Sequence, residues 1–435
     1  MSAKKNKNGA LASLCEDARK TGIAVLDSVK ADAAKAVAGI EFPTVRHEDW
    51  RFTNLAPVAA MSYSAANGKA KVTGKNIAAQ AVEGLGAPAL VFINGVYAPA
   101  LSKPPKTKKT TVLPLSKAAK SHAEMVSANL GEMSDIKNEF FTALNTALFE
   151  DGAFIHIPEG AEIKKPVYII YASTGGERVS SPRNLIVAEK NCGVKIVEHY
   201  ISTAEENCLS NPLTEISVGE GARVEHYRLE FESRNGVNIS TLNLVQEKDA
   251  NTLSHSVLTG GAIVRNNIHP KLAGTGGDCL INGLFMPTGR QHMDNFMKVE
   301  HAAPHCDSRQ IYNGVLNEKG RGVFHGRIIV HEGAIKTDAK QTNRNLLLSD
   351  TAQIDTKPQL EIYNDDVKCT HGATIGQMDE EAVFYLRSRG IPEAEARAVI
   401  LRGFTRESIS LMTVEPVREF LEKESERWFA AALGN

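Results

Sequence analysis

The sequence is poor in several features that would each have settled its class. No stretch of its 435 residues approaches the roughly 18–20 unbroken apolar residues that a membrane helix needs. The first residues lack the apolar core of a signal peptide, and Glu16, Asp17 and Asp27 are out of place in a secretory or mitochondrial leader. The six cysteines, Cys15, Cys192, Cys208, Cys279, Cys306 and Cys369, include no Cys-x-x-Cys pair. That scatter fits neither a disulfide framework, nor a zinc knuckle, nor a self-contained four-cysteine cluster site. A reducing cytoplasm is therefore the expected home. Net charge is missing too. At −1 there is no field over the whole molecule to favour DNA, RNA or an anionic membrane. Basic residues gather only locally, in "KKNKN" at the N-terminus and "SKPPKTKK" at Ser102 to Lys109, and both read as solvated tail or loop.

The usual catalytic signatures are also absent. There is no Gly-x-x-x-x-Gly-Lys-[Ser/Thr] loop, no Gly-x-Ser-x-Gly elbow and no His-Glu-x-x-His. "GTGGDC" at Gly274 lacks the strand–turn–helix setting of a dinucleotide fingerprint and reads as a loop.

What is present divides into three zones. Residues 1–150 mix helix with some strand. "ALASLCEDARKTGIAVLDSVKADAAKAVAGI" has apolar residues at helical spacing and predicts a helix or a helical pair. "APALVFINGVYAPAL" reads as strand, Asn94-Gly95 turn and short return strand, and "KNEFFTALNTALF" as an amphipathic helix. Residues 151–375 are a succession of short β runs, among them "AFIHI", "PVYIIYA", "NLIVA" and "VKIVEHYIS". Between them a small turn recurs, as in "EGAEI", "NCGVKI", "EGARV" and "KDANTL", with centres at Gly160, Gly193, Gly221 and Ala250. A repeat near 30 residues with almost no helix predicts a right-handed parallel β-helix, a mainly β fold. Its open ends need capping or pairing, which suits helical domains at both termini.

Residues 376–435 should be helical. Asp379 is placed to N-cap "EEAVFYLRSR", Gly390 to stop it, and Pro392 to open a second helix. "EPVREFLEKESERWFAAAL" makes a third. From pattern alone this small bundle either caps the coil or docks another protein.

Soft metal ligands concentrate late in the β zone: His292, His301, His305 and Cys306, then His325 and His331, then Cys369 and His371. On a strand, residues i and i+2 share a face, so Cys369 and His371 present a thiol and an imidazole side by side. Those groups suit iron, zinc or copper. On spacing alone, a packed cysteine beside a hydrogen-bonded histidine is the commoner outcome. Two ligands also hold a metal only weakly, so such a site would be transient or completed by a partner chain.

"KTDAKQTNRNLLLSDTAQIDTKPQLEIYNDDVKCTHGATIGQMDEEAVFYLRSRGI", Lys336 to Ile391, closely resembles the SufD-type subunits of the SUF iron–sulfur cluster assembly machinery. The likeness extends upstream through "HAAPHCDSRQIYNGVLNEKGRGVFHGRIIV" and returns in "FPTVRHEDWRFTNL" (Phe42 to Leu55) and "LVFINGVYAPALS". The resemblance implies a β-helix flanked by helical domains and a non-enzymatic scaffold. It implies pairing with SufB along the β-helix and with the ATPase SufC through the C-terminal helices, and it leaves a homodimer open. It also implies that His371, with Cys369 beside it, helps hold a nascent iron–sulfur cluster or iron at the SufB interface. Thr370 replaces a serine common in relatives and keeps the hydroxyl. A reduced flavin is associated with the family's complex, but no motif here assigns one. The alternative is a cytosolic β-helical carbohydrate-active enzyme, weakened by the missing export signal.

Overall fold

A computed structural model describes residues 9–65 apart from 17 and 19, then 72–105 and 110–434. The "KKNKN" tail and the end of "SKPPKTKK" lie outside the described residues.

The β runs of the middle zone wind into a two-sheet parallel solenoid of about 8 turns. Each turn gives one strand to each sheet. The first sheet runs from Ala153–Ile157 through Arg183–Ala188, Leu213–Val218, Val237–Gln246, Ile263–Leu272, His292–His301 and Arg321–Val330 to Gln353–Ile362. The second runs from Val167–Ser173 through Gly193–Ser202, Arg223–Phe231, Asn251–Leu258, Asp278–Phe285, Asp307–Leu316 and Asp338–Leu347 to Lys368–Gln377. Register is kept down the stack: Arg223 pairs with Asn251, Asn251 with Asp278 and Asp278 with Asp307.

One corner explains the repeat. Gly160, Asn191, Gly221, Asp249, Gly276, His305 and Lys336, spaced by 27 to 31 residues, all have left-handed φ between 54° and 78°. Each donates its backbone N–H to a carbonyl of the following turn, as Gly221 does to Lys248 and His305 to Ile335. The turn centres expected at Gly193 and Ala250 are therefore displaced. In those turns the left-handed residues are Asn191 and Asp249, because Asn and Asp tolerate positive φ when glycine is absent.

Alternation along the strands separates two cores. Inward residues such as Ile196, Val224, Ile281, Phe285, Tyr312, Phe324 and Ile328 form the interior. Outward residues of the second sheet, including Val197, Tyr227, Val257, Leu284 and Val315, pack beneath the C-terminal helices. Those helices, Glu380–Ser388, Glu393–Ile409 and Glu415–Leu433, lie along the flank of the coil instead of over its end. Trp428 donates its indole N–H to the Met286 carbonyl at 2.9 Å, and Asn313 donates to the Phe404 carbonyl. The first helix is capped as expected, with Asp379 accepting from the N–H groups of Glu381 and Ala382.

The N-terminal zone covers the other flank. Its first stretch is a helical pair, Gly9–Glu16 and Ala24–Gly39, which packs with Phe140–Leu148 over the first sheet. A buried ion pair fastens it: Arg183 donates to Glu215 at 2.6 Å and to Thr146 at 2.7 Å. Glu215 also accepts from Gly131 N, Met133 N and the Ser134 hydroxyl, so the pair's remaining lone pairs are used. Further along, Phe42 to Leu55 straps the first sheet. Trp50 covers the Arg265 guanidinium at 4.3 Å, Asp49 meets Arg327 at 2.8 Å and Glu48 meets Lys357 at 2.7 Å.

Candidate functional site

The chain's chemistry-bearing strand, "KCTHGATIGQ", is the last of the second sheet. Among the described residues it pairs only with Asp338–Leu347, in a register that sets Cys369 on Ala339 and His371 on Gln341. Ala339 belongs to the interior core and Cys369 packs partly against it, so Cys369, His371, Ala373 and Ile375 all face inward. No later described strand covers them, and an inward face that is buried on the strand beneath, at Ala339, Gln341, Asn343 and Asn345, is open to solvent from His371 to Ile375. Gln353–Ile362 ends the first sheet in the same way. The two strands together offer two ten-residue backbone edges with a neighbour on one side only. Exposed apolar side chains sit on and beside them: Ile375 at 51%, Ile362 at 41% and Tyr363 at 60%. An exposed, long edge of this kind is a template for another strand.

At Cys369, burial pushes the thiol's pKa up, and the nearby Asp338 carboxylate adds to the effect. The thiol is thus held protonated and would release its proton on binding a metal. Side by side on one face, thiol and imidazole make a mixed S/N pair suited to iron or a cluster edge. Among the described residues, no three His, Cys, Asp or Glu side chains converge as a metal-holding group. The residues therefore fit two ligands of a shared set, and do not fit a complete cage.

The other candidates are dispersed. His292 meets the Thr53 hydroxyl at 2.8 Å, beneath the Phe42–Leu55 strap. His301 is buried and hydrogen-bonds Ser308, with burial pushing its pKa down to about 4. His305 is the left-handed corner residue of its turn, a structural position. Cys306 is buried in the interior and donates to the Gly274 carbonyl. His325 contacts Gln359, and His331 contacts Glu300. The structure brings only Cys369 and His371 together at the open end.

The sequence reading also missed features of the interior. Inward positions of the second sheet carry buried polar side chains, including Glu198, His226, Arg228, Ser254, Gln310 and Gln341. Polar letters at alternate strand positions were the available signal, but without register they read as solvent-facing.

A family model described as "SUF system FeS cluster assembly, SufBD core domain" matches residues 170–404, and one for the "SufBD protein N-terminal region" matches residues 12–169. The chain belongs to the SufBD family of iron–sulfur cluster assembly proteins. It is 33% identical to the iron–sulfur cluster assembly protein SufD of Escherichia coli over 384 residues, covering 87% of each chain. A SufBD family protein of Synechocystis is 33% identical over 418 residues, covering 91% of this chain and 90% of its own. SufD of Bacillus subtilis is 28% identical over 335 residues, covering 75% and 76%. The family assigns the chain to the SUF system and to cluster assembly. Among the described residues, no helix is long and apolar enough to cross a membrane.

Proposed function

We propose that this SufBD protein is a scaffold subunit without catalytic chemistry of its own, working in the cytoplasm. Its open edge pairs with SufB, and Cys369 and His371 supply part of the ligand set for a nascent cluster or iron held between the two chains. The observation that carries this reading is the coincidence of the ligand pair with the solenoid's one long unpaired end. A cluster under assembly is cargo to be released, and two ligands from one chain hold it less tightly than a four-cysteine cage would. The C-terminal helices offer a second surface, with Phe384 71% and Tyr385 59% exposed, for the ATPase SufC. The same open edge would admit a second copy of the chain when SufB is scarce.

The test is His371→Ala in the chain co-purified with SufB and SufC. His371 is exposed, so the complex should assemble as before while its iron and sulfide content falls. Wild-type iron and sulfide in that variant would sink the role of His371.

A further inference from the structure

The inward row that ends on His371 can be followed down the second sheet, one residue per turn. Beneath His371 lies Gln341, then Gln310, Ile281, Ser254 and His226. Gln341 and Gln310 are buried, 2% and 0% exposed, and the amide oxygen and nitrogen of both lack a hydrogen-bond partner. A buried amide without a partner is destabilising, and a hydrophobic side chain of the same size would avoid that cost. The fold also makes room for these amides. Gly326 faces them from the first sheet, and a Cβ there would come within 3.0 Å of Gln310 Oε1 and 3.1 Å of Gln341 Nε2. Two buried amides without partners thus stand opposite a glycine directly under the exposed histidine.

We propose that Gln341 is a positioning residue for His371, an inference that rests on the cluster-handling reading above. Adjacent parallel strands lie about 4.8 Å apart, within reach of a glutamine amide along an in-register row. The amide can both donate and accept, so it can hold either ring nitrogen of His371 and turn the other outward. In the free chain, water competes for the exposed imidazole. When a partner strand covers the open end, that competition is removed and Gln341 becomes the available partner. The arrangement is that of an outer-shell group orienting a metal-binding histidine. Gln310, one strand deeper, is too far down the row to touch the imidazole.

The test uses the full chain, alone for thermal unfolding and in complex with SufB and SufC for iron retention. Gln341→Met keeps the side-chain volume and removes the amide. It should raise Tm, because an unpaired buried amide is gone, while retained ferrous iron falls about 10-fold, the lower end for loss of an outer-shell partner. Gln341→Glu keeps an acceptor oxygen at the same reach and should restore retention well above that of Gln341→Met. Gln310→Met should raise Tm and leave iron unchanged. Wild-type iron in Gln341→Met, or a fall in Tm alongside the loss of iron, overturns the proposal. His371→Ala is run in parallel. If it loses iron while Gln341→Met keeps it, the positioning role alone fails; if both keep iron, the site reading fails with it.

Discussion

At one end of the solenoid the stack closes with short strands, the outermost of them antiparallel. Thr111–Pro114 lies against Ala153–Ile157, and the Leu90–Tyr97 hairpin lies against Val167–Ser173. The outermost strands there are four and two residues long, and helices pack beside them. At the other end, two ten-residue strands stop with no further strand paired to them among the described residues. Edge strands invite unwanted pairing, and natural proteins blunt them by shortening or covering. This chain blunts one end and leaves the other long, with isoleucines and a tyrosine exposed beside a thiol and an imidazole. On the proposed reading, folding stability and partner binding fall to opposite ends of one stack.

That division can be broken most severely at the closed end. Arg183→Met should strand Glu215 as an unpaired buried charge and cost about 3–5 kcal/mol, read as a lowered denaturation midpoint with unchanged slope. A loss below about 1 kcal/mol, the range of an exposed ion pair, would deny the pair its anchoring role.

Acid should act next, through histidines of the covered turns. Burial pushes His199 and His255 down to about 3 and His301 to about 4. Their folded pKa values lie below the unfolded value near 6.5, so their neutral forms support the fold. That contribution is complete above pH 6.5 and is lost as pH falls toward the folded values. His301→Gln should flatten the decline in stability between about pH 6.5 and 4; an unaltered pH profile would show that the histidine is not buried neutral.

The smallest effect on stability is expected at the open end. Ile375→Lys should change unfolding free energy by no more than about 0.5 kcal/mol, as for surface substitutions generally. The same variant should lose co-purification with SufB, since it sets a charge in an apolar strand-pairing surface. Loss of fold, or retention of SufB, would each contradict the division between the ends.

Much of this architecture could be read from the residues, for identifiable reasons. The Asn94-Gly95 turn, with φ of 49° and 80°, and the Asp379 cap are local devices whose geometry follows from a few adjacent side chains. The solenoid repeat was legible as a period but not in phase. Its corner accepts Gly, Asn, Asp, His and Lys alike, so no single letter marks it. His305 shows the consequence: it occurs in a histidine-rich stretch, and its backbone conformation explains its place better than ligand chemistry does. The Cys369–His371 pair followed from strand alternation. Its openness to solvent did not, because that depends on the absence of a further turn above it. Gln341 could not be singled out without register, which is a long-range property of stacked strands.

Because every turn advances the stack by one strand spacing, the height of His371 above the closed end is a count of turns, about 4.8 Å each. Duplicating one whole turn would carry the imidazole outward by that increment with its direction nearly kept, whereas adding a single residue to a strand would flip it to the opposite face. The coil is in effect a ruler graduated in whole turns, and its final mark is the open edge at which we propose a second chain binds.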